Sequence, residues 1–177
     1  MTASETSSNQ QLDTMDNIWR PLILINLFRF LIASIFIILY LTDNLFLPLA
    51  SNHPVLFISV SLGYTLTSII IGILNYYQKP SFETQAYLNV YTDIIAITLL
   101  MHASGGVSSG LGTLMVITIG GGSIIMGGRH ALLFASIATI AVLGEGIFNQ
   151  LEGISEPTSY IQAGILGITY FVTAVLT

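Results

Sequence analysis

Residues 90–112 read VYTDIIAITLLMHASGGVSSGLG, which places one carboxylate inside an apolar run and ends that run in a link of serine and glycine. The carboxylate belongs to Asp93, and His102 stands where the apolar run ends. The link that follows carries no charged residue. Long apolar runs joined by short polar links are typical of helices that cross a membrane. The sequence therefore predicts a membrane protein of several helices.

The composition supports this class. Of 177 residues, 53% are hydrophobic and only 7% are charged, whereas an average soluble domain has about 25% charged residues. The mean hydropathy is +0.82. With four Lys and Arg residues and a net charge of −5, the chain lacks the basic surface that nucleic acid requires, so we expect no nucleic-acid partner. The absence of cysteine excludes disulfides and thiolate metal sites.

Apolar segments divide the chain after a polar beginning. Residues 1–17 are rich in Ser, Thr, Gln and Asn and lack apolar periodicity, which predicts a disordered cytoplasmic tail. Residues 18–177 are predicted to form an all-α, polytopic domain of six transmembrane helices. The six segments cover about 21–41, 55–74, 86–102, 111–126, 131–151 and from about 160 onward. The sequence stops at Thr177 while still apolar, so we expect the natural polypeptide to continue into the cytoplasm.

The basic residues predict the orientation of these helices. Arg20 precedes the first segment, Lys79 lies in the link after the second, and Arg129 lies in the link after the fourth. The alternate links, 42–54, 103–110 and 152–159, contain no Lys or Arg. Because basic links face the cytoplasm, both termini are predicted to be cytoplasmic.

Two opposite charges are predicted to meet inside the membrane. Arg29 lies about 12 Å into the first segment and Asp93 about 10 Å into the third, both measured from the cytoplasmic edge. Either charge alone would cost about 3 kcal/mol in the bilayer, and pairing lowers that cost. Three interpretations stay open: a buried ion pair that fixes packing, a pair that a signal breaks, and part of a proton path.

Glu145 is the third buried charge, predicted to lie in the outer half of the fifth segment, about 21 Å from the inner edge. His102 ends the third segment on the same side, so the two side chains are able to approach each other. The alternative is that Glu145 is satisfied by a hydroxyl group or water between helices.

The stretch from Asp93 to Gly112 is the candidate surface for receiving a signal. Its glycines leave room for the close approach of another helix, and Asp93 and His102 offer polar contacts that are scarce in lipid. No phosphate-loop pattern, catalytic triad or pair of catalytic carboxylates is present, so no catalytic residue is assigned. Metal binding by His53 and His102 with Glu152 or Glu156 would require the outer links to converge, and no ligand spacing supports it, so no metal site is predicted. The proposed signal-sensing residues are Asp93, His102, Ser104, Gly105, Gly106, Ser109, Gly110 and Gly112.

Residues 93–112 resemble the membrane part of the sensor histidine kinases that control type IV pilus genes. In that family the pattern D-I-x-x-x-T-L-L-M-H-x-S-G-G-x-x-S-G-L-G joins the third and fourth of six helices. The resemblance extends more loosely from about residue 16 to the end of the chain. The matching positions are Asp93, Ile94, Thr98, Leu99, Leu100, Met101, His102, Ser104, Gly105, Gly106, Ser109, Gly110, Leu111 and Gly112.

This resemblance implies a multi-pass sensor of the bacterial inner membrane that detects the transmembrane helix of pilin. It also implies a homodimer in lipid, and a cognate response regulator reached through a kinase domain that uses ATP and Mg²⁺. The kinase half is absent from this sequence, so we expect no cofactor and no kinase activity in this chain. None of its three histidines is assigned as the phosphate acceptor.

Two other functions compete with sensing. A small transporter or channel-like protein would use Arg29, Asp93 and Glu145 as its coupling path, but the six segments show no clear inverted repeat. A purely structural membrane anchor would need none of these three charges.

Overall fold

The computed structural model describes residues 3–42, 49–77, 79, 81–151 and 158–177, without the side chains of residues 1–20, 158 and 159. Every element in these ranges is helical. The α-helices are α1 (Ala3–Leu41), α2 (Pro54–Tyr77), α3 (Phe82–Ala103), α4 (Leu114–Met126), α5 (Gly128–Leu151) and α6 (Thr158–Leu176). Two short 3-10 turns, Gly106–Ser109 and Leu111–Thr113, join α3 to α4.

The six predicted apolar segments are confirmed as six helices. Four of the helical stretches are long and apolar enough to cross a membrane: Pro21–Leu41, Pro54–Tyr77, Phe82–Ala103 and Gly128–Leu151. The other two, α4 and α6, are shorter apolar helices. Helix α4 has 13 residues, or about 20 Å, because residues 111–113 form a 3-10 turn instead of its first turn. The chain is therefore a multi-pass membrane protein.

The beginning of α1 differs from the sequence-based expectation. The helix starts at Ala3, so the backbone of residues 3–17 is helical where a disordered tail was predicted. Whether the segment acts as a cytoplasmic tail stays a prediction.

The helices form one bundle with an unevenly packed edge. Helix α1 packs mainly on α2, α2 packs on α3, and α5 packs closely on α6 and α4. The core contains Phe57 from α2, Met101 from α3, Ile119 from α4, Phe134 from α5 and Tyr170 from α6, all nearly or fully buried. Helix α1 has few contacts with α3 and α4, so a gap is left beside it.

The bundle has two distinct ends. At the first, which we call the glycine-rich end, the backbone N–H groups of Asn52 and His53 donate to Ala103 O, so the α1–α2 link lies against the link from α3 to α4. At the opposite end, Tyr87 of α3 hydrogen-bonds His130 of α5. This places Lys79, in the link between α2 and α3, and Arg129, in the first turn of α5 and not in a link as predicted, at the same end, as the basic pattern requires. Which end faces the cytoplasm stays a prediction.

Candidate functional site

The Arg29–Asp93 ion pair lies in the middle of the bundle. Arg29 Nη2 is 2.6 Å from Asp93 Oδ1, and the two side chains are 1% and 4% exposed. The same Nη2 donates to the backbone oxygen of Asn89, at 2.6 Å. The pairing inferred from matching depths is therefore present, with α1 held against α3 by a charged contact.

Asp93 joins four helices. Tyr64 Oη of α2 donates to Asp93 Oδ1 at 2.6 Å, and Thr118 Oγ1 of α4 donates to Asp93 Oδ2 at 3.2 Å. Both carboxylate oxygens therefore have partners, as a buried carboxylate requires. The Arg29 guanidinium carbon also lies 5.5 Å from the centroid of the Tyr64 ring, within cation–π range. We call Arg29, Tyr64, Asp93 and Thr118 the polar centre.

Tyr64 and Thr118 were not singled out from the sequence. Each sits in an apolar run where a hydroxyl group does not interrupt the hydrophobic pattern. Tyr64 lies near the midpoint of α2, as Asp93 does in α3. Depth alone does not single out Tyr64, because Ser61, Thr65 and Thr67 lie at similar depths in the same helix.

A crevice of about 360 Å³ opens beside the polar centre, between α1 and α4. Its walls are almost entirely apolar, and the polar centre forms its polar part. A volume of this size falls in the range of small-ligand pockets, about 300–1,000 Å³. The lining residues are Leu24, Ile25, Phe28, Arg29, Ile32, Phe36, Tyr64, Asp93, Ile97, Leu114, Ile117 and Thr118.

A second polar group surrounds Glu145 near the glycine-rich end. His102 Nδ1 lies 3.0 Å from Glu145 Oε1, and Asn149 Nδ2 donates to the same oxygen at 2.7 Å. The His102 ring stacks on His53 with 5.5 Å between centroids and meets Phe148 edge-on. The approach of His102 to Glu145 is thus observed, and the nearest partners of Glu145 are an imidazole and an amide, not a hydroxyl group.

The serine–glycine link folds back onto the bundle. Ser104 Oγ accepts a hydrogen bond from Ala50 N, and Ser109 Oγ donates to Gly106 O. Tyr170 Oη of α6 donates to Gly112 O at 2.7 Å. The link is therefore held by residue 50, by α6 and by a hydrogen bond within itself.

Most glycines of this link pack closely against other residues of the same chain. A Cβ atom at Gly106 would collide with the side chain of Asn149, and one at Gly112 would meet Leu166 at 2.8 Å. At Gly105 it would lie 3.1 Å from the Ser51 hydroxyl oxygen. Only at Gly110, among the four proposed signal-sensing glycines, is the space open within 4 Å. The expectation that all four leave grooves for a partner needs correction: three of them let this chain pack on itself.

The predicted residues therefore form two separate sites. The polar centre holds Arg29 and Asp93, whereas His102 and Glu145 belong to the second group, and Glu145 does not line the crevice. Among the described residues, the crevice reaches Arg29 and Asp93 but not Glu145. Within the described residues, no group of three or more His, Cys, Asp or Glu side chains is placed to hold a metal ion. Glu152 and Glu156, weighed as ligands with His53 and His102, lie outside the described residues.

Comparison with known proteins agrees with the helical arrangement. Residues 11–177 match the family described as the PilS-like transmembrane domain. The chain is 29% identical over 158 residues to the sensor protein kinase PilS of Pseudomonas aeruginosa, an alignment that covers 89% of this chain and 29% of that protein. No solved structure matches. The chain belongs to the PilS-like transmembrane domain family.

Proposed function

We propose that this chain is the sensory membrane domain of a histidine kinase in a two-component system that controls type IV pilus genes. The observation that carries the proposal is the family match over nearly the whole chain. The similarity to a protein named as a sensor kinase supports this activity for the parent protein, and the chain spans 29% of that protein's length. We place the protein in the bacterial inner membrane.

The polar centre is the element through which a signal would act. Its four side chains come from four different helices, so a movement of any one helix changes the contacts of Asp93. A partner shifts such a bundle only if it binds one arrangement more tightly than another. A pair of charges inside the membrane makes the two arrangements differ in energy, because separated charges are poorly tolerated there.

The proposed partner is the transmembrane helix of pilin, detected within the bilayer. Lipid would surround the remaining faces, and a homodimer would carry the signal to kinase domains that use ATP and Mg²⁺. Those domains would pass phosphate to a cognate response regulator. Among residues 93–112, Gly110 keeps open space and Asp93 lines the crevice, so these two support a partner contact better than the packed glycines do.

Intramembrane crosslinking in the full-length kinase tests this function. A photoreactive residue is placed in turn at positions 88–115, and at Ile140, an exposed control on α5. We expect pilin adducts at a few positions of the first set and none at Ile140, with pilus-gene output changed when the same positions are made bulky. The proposal would be contradicted by pilin adducts at Ile140 as abundant as at positions 88–115, or by pilus-gene output that does not change with the amount of pilin.

A further inference from the structure

His102 and Glu145 form an ionisable pair that is separate from the polar centre. His102 Nδ1 lies 3.0 Å from Glu145 Oε1, and the two side chains are 21% and 7% exposed. The same Oε1 accepts a hydrogen bond from Asn149 Nδ2 at 2.7 Å. The pair joins the last turn of α3 to the second half of α5. A change in its charge therefore acts directly on the contact between these two helices.

The pair is accessible from the glycine-rich end of the bundle. His102 lines an open depression of about 520 Å³ together with His53, which is exposed. The rings of the two histidines stack with 5.5 Å between their centroids. Protons from the medium at this end therefore reach His102 without passing through the bundle.

Few charged groups act on His102. Among the described residues, the ionisable side chains in contact with it are His53 and Glu145. The other charged or ionisable residues of the described part lie in the polar centre or toward the opposite end of the bundle: Arg29, Asp93, Lys79, Glu83, Arg129 and His130. Three more lie outside the described residues, namely Asp43, Glu152 and Glu156.

A proton on His102 strengthens its contact with Glu145. We assign Nδ1 as the donor because it faces a carboxylate oxygen, so an added proton goes to the second ring nitrogen. The contact then becomes a charge-assisted hydrogen bond, which is about twice as strong as a neutral one. His53 opposes a second charge, because two charged rings 5.5 Å apart repel each other. Since histidine changes charge between about pH 5 and pH 8, mild acidification is sufficient.

The serine–glycine link is coupled to this pair through Asn149. That side chain is 2% exposed, donates to Glu145, and occupies the space that a Cβ atom at Gly106 would need. The next residue of the link, Val107, is 4% exposed and lies 3.9 Å from the position of a Cβ atom at Gly146 of α5. A tighter contact between α3 and α5 therefore also holds the link more firmly.

We propose that His102 and Glu145 form a proton-operated clasp. The clasp holds α3 and the serine–glycine link against α5 more tightly when the medium at the glycine-rich end is mildly acidic. It requires neither a partner helix nor a kinase domain, so it does not depend on the proposed sensory function.

Thiol labelling at two adjacent positions tests the clasp. The chain has no cysteine, so Val107→Cys, which is buried, and Ser108→Cys, which is exposed, each provide a single thiol. The chain is placed in lipid nanodiscs, whose two faces meet the same buffer, and is labelled with a maleimide at about pH 6 and pH 8, within the range in which histidine changes charge.

The rate at Val107→Cys is divided by the rate at Ser108→Cys. Because the thiolate is the reacting form, this ratio removes the effect of pH on the thiol itself. We expect the ratio to fall roughly 3- to 10-fold between the higher and the lower pH, as the gain from a charge-assisted bond allows.

Four variants locate the proton. His102→Gln keeps an N–H donor for Glu145 but takes up no proton, and Glu145→Gln keeps an oxygen but removes the negative charge. In both variants the ratio should no longer fall on acidification. His130→Gln, at the opposite end, is the matched control and should keep the full fall. His53→Gln should keep it as well, because the proton is bound by His102.

Three results would overturn the clasp. The first is a ratio that stays constant or rises on acidification in the chain with no other substitution. The second is a fall that persists in His102→Gln or Glu145→Gln. The third is a fall that is lost in His53→Gln, which would place the proton on that ring. None of these results bears on crosslinking to pilin, so the sensory function keeps its own test.

Discussion

Arg29 Nη2 lies 2.6 Å from Asp93 Oδ1, and this contact joins two helices, α1 and α3, that otherwise touch little. Asp93 is held independently by Tyr64 and Thr118, so its position does not depend on Arg29 alone. Arg29, in contrast, has Asp93 as its charged partner. The ion pair therefore fixes α1 to a carboxylate that the other helices have already positioned.

Removal of either charge should destabilise the bundle more than removal of both. Arg29→Met or Asp93→Leu leaves an uncompensated buried charge, with an expected loss of about 3–5 kcal/mol. The double variant removes both charges and should recover part of that loss. The measurement is thermal unfolding of the purified domain in detergent, arranged as a double-mutant cycle. Strictly additive losses would show that the two charges do not interact.

The hydroxyl group of Tyr64 should contribute to the same centre. Tyr64→Phe keeps the ring over Arg29 but removes the donor to Asp93 Oδ1, with an expected loss of about 1–3 kcal/mol. Tyr76→Phe, at an exposed position of α2, is the matched control and should change stability little. In an Asp93→Leu background the effect of Tyr64→Phe should shrink, because its acceptor is already gone. An equal effect in both backgrounds would mean that Tyr64 stabilises the bundle through contacts other than its hydrogen bond to Asp93.

The helices were predictable because bilayer thickness imposes a minimum apolar length that the sequence displays directly. The Arg29–Asp93 contact was predictable for a related reason: two charges at one depth in lipid have few other ways to be satisfied. Sequence periodicity does not report which uncharged side chains join them. The contacts of Tyr64 and Thr118 with Asp93 are therefore evident only from the structure, in which α2 and α4 pack around Asp93.

The serine–glycine link was the least predictable part of the candidate site. The sequence does not distinguish a glycine that leaves space for a partner from one that makes space for a side chain of its own chain. Gly106 and Gly112 are of the second kind because Asn149 and Leu166 occupy the space beside them. Those neighbours lie on α5 and α6, far away in sequence, so no local pattern identifies them.

Glu145 should tolerate an amide better than an apolar group. Glu145→Gln keeps an oxygen that accepts from Asn149 Nδ2, whereas Glu145→Leu leaves that buried donor unpaired. We expect the Leu variant to lose about 1–3 kcal/mol in unfolding free energy and the Gln variant to lose clearly less. Thermal unfolding of the two variants side by side measures this difference. Equal losses would mean that the hydrogen bond to Asn149 does not stabilise the bundle.

The predicted orientation of the bundle makes the glycine-rich end accessible from outside the cell and the opposite end accessible from the cytoplasm. Ser108 is exposed at the glycine-rich end and Lys79 is exposed at the opposite end. Because the chain lacks cysteine, Ser108→Cys and Lys79→Cys each give one labelling site. Ser108→Cys should react with an impermeant thiol reagent in cells whose outer membrane is permeable, and Lys79→Cys only after the inner membrane is opened. The reverse pattern would invert the predicted topology.

Gly106 and Gly110 should respond differently to the same substitution. Both have left-handed backbones, with φ of 78° and 75°, so Ala at either position should cost about 1–2 kcal/mol in backbone strain. At Gly106 the new methyl group also meets Asn149, which adds about 1–3 kcal/mol of overpacking, whereas at Gly110 the space is open. In thermal unfolding, Gly106→Ala should therefore be less stable than Gly110→Ala. Asn149→Ala should reduce the loss of stability caused by Ala at Gly106 but leave that at Gly110 unchanged. Similar penalties at both glycines, unaffected by Asn149→Ala, would mean that the link is not held against α5 as described.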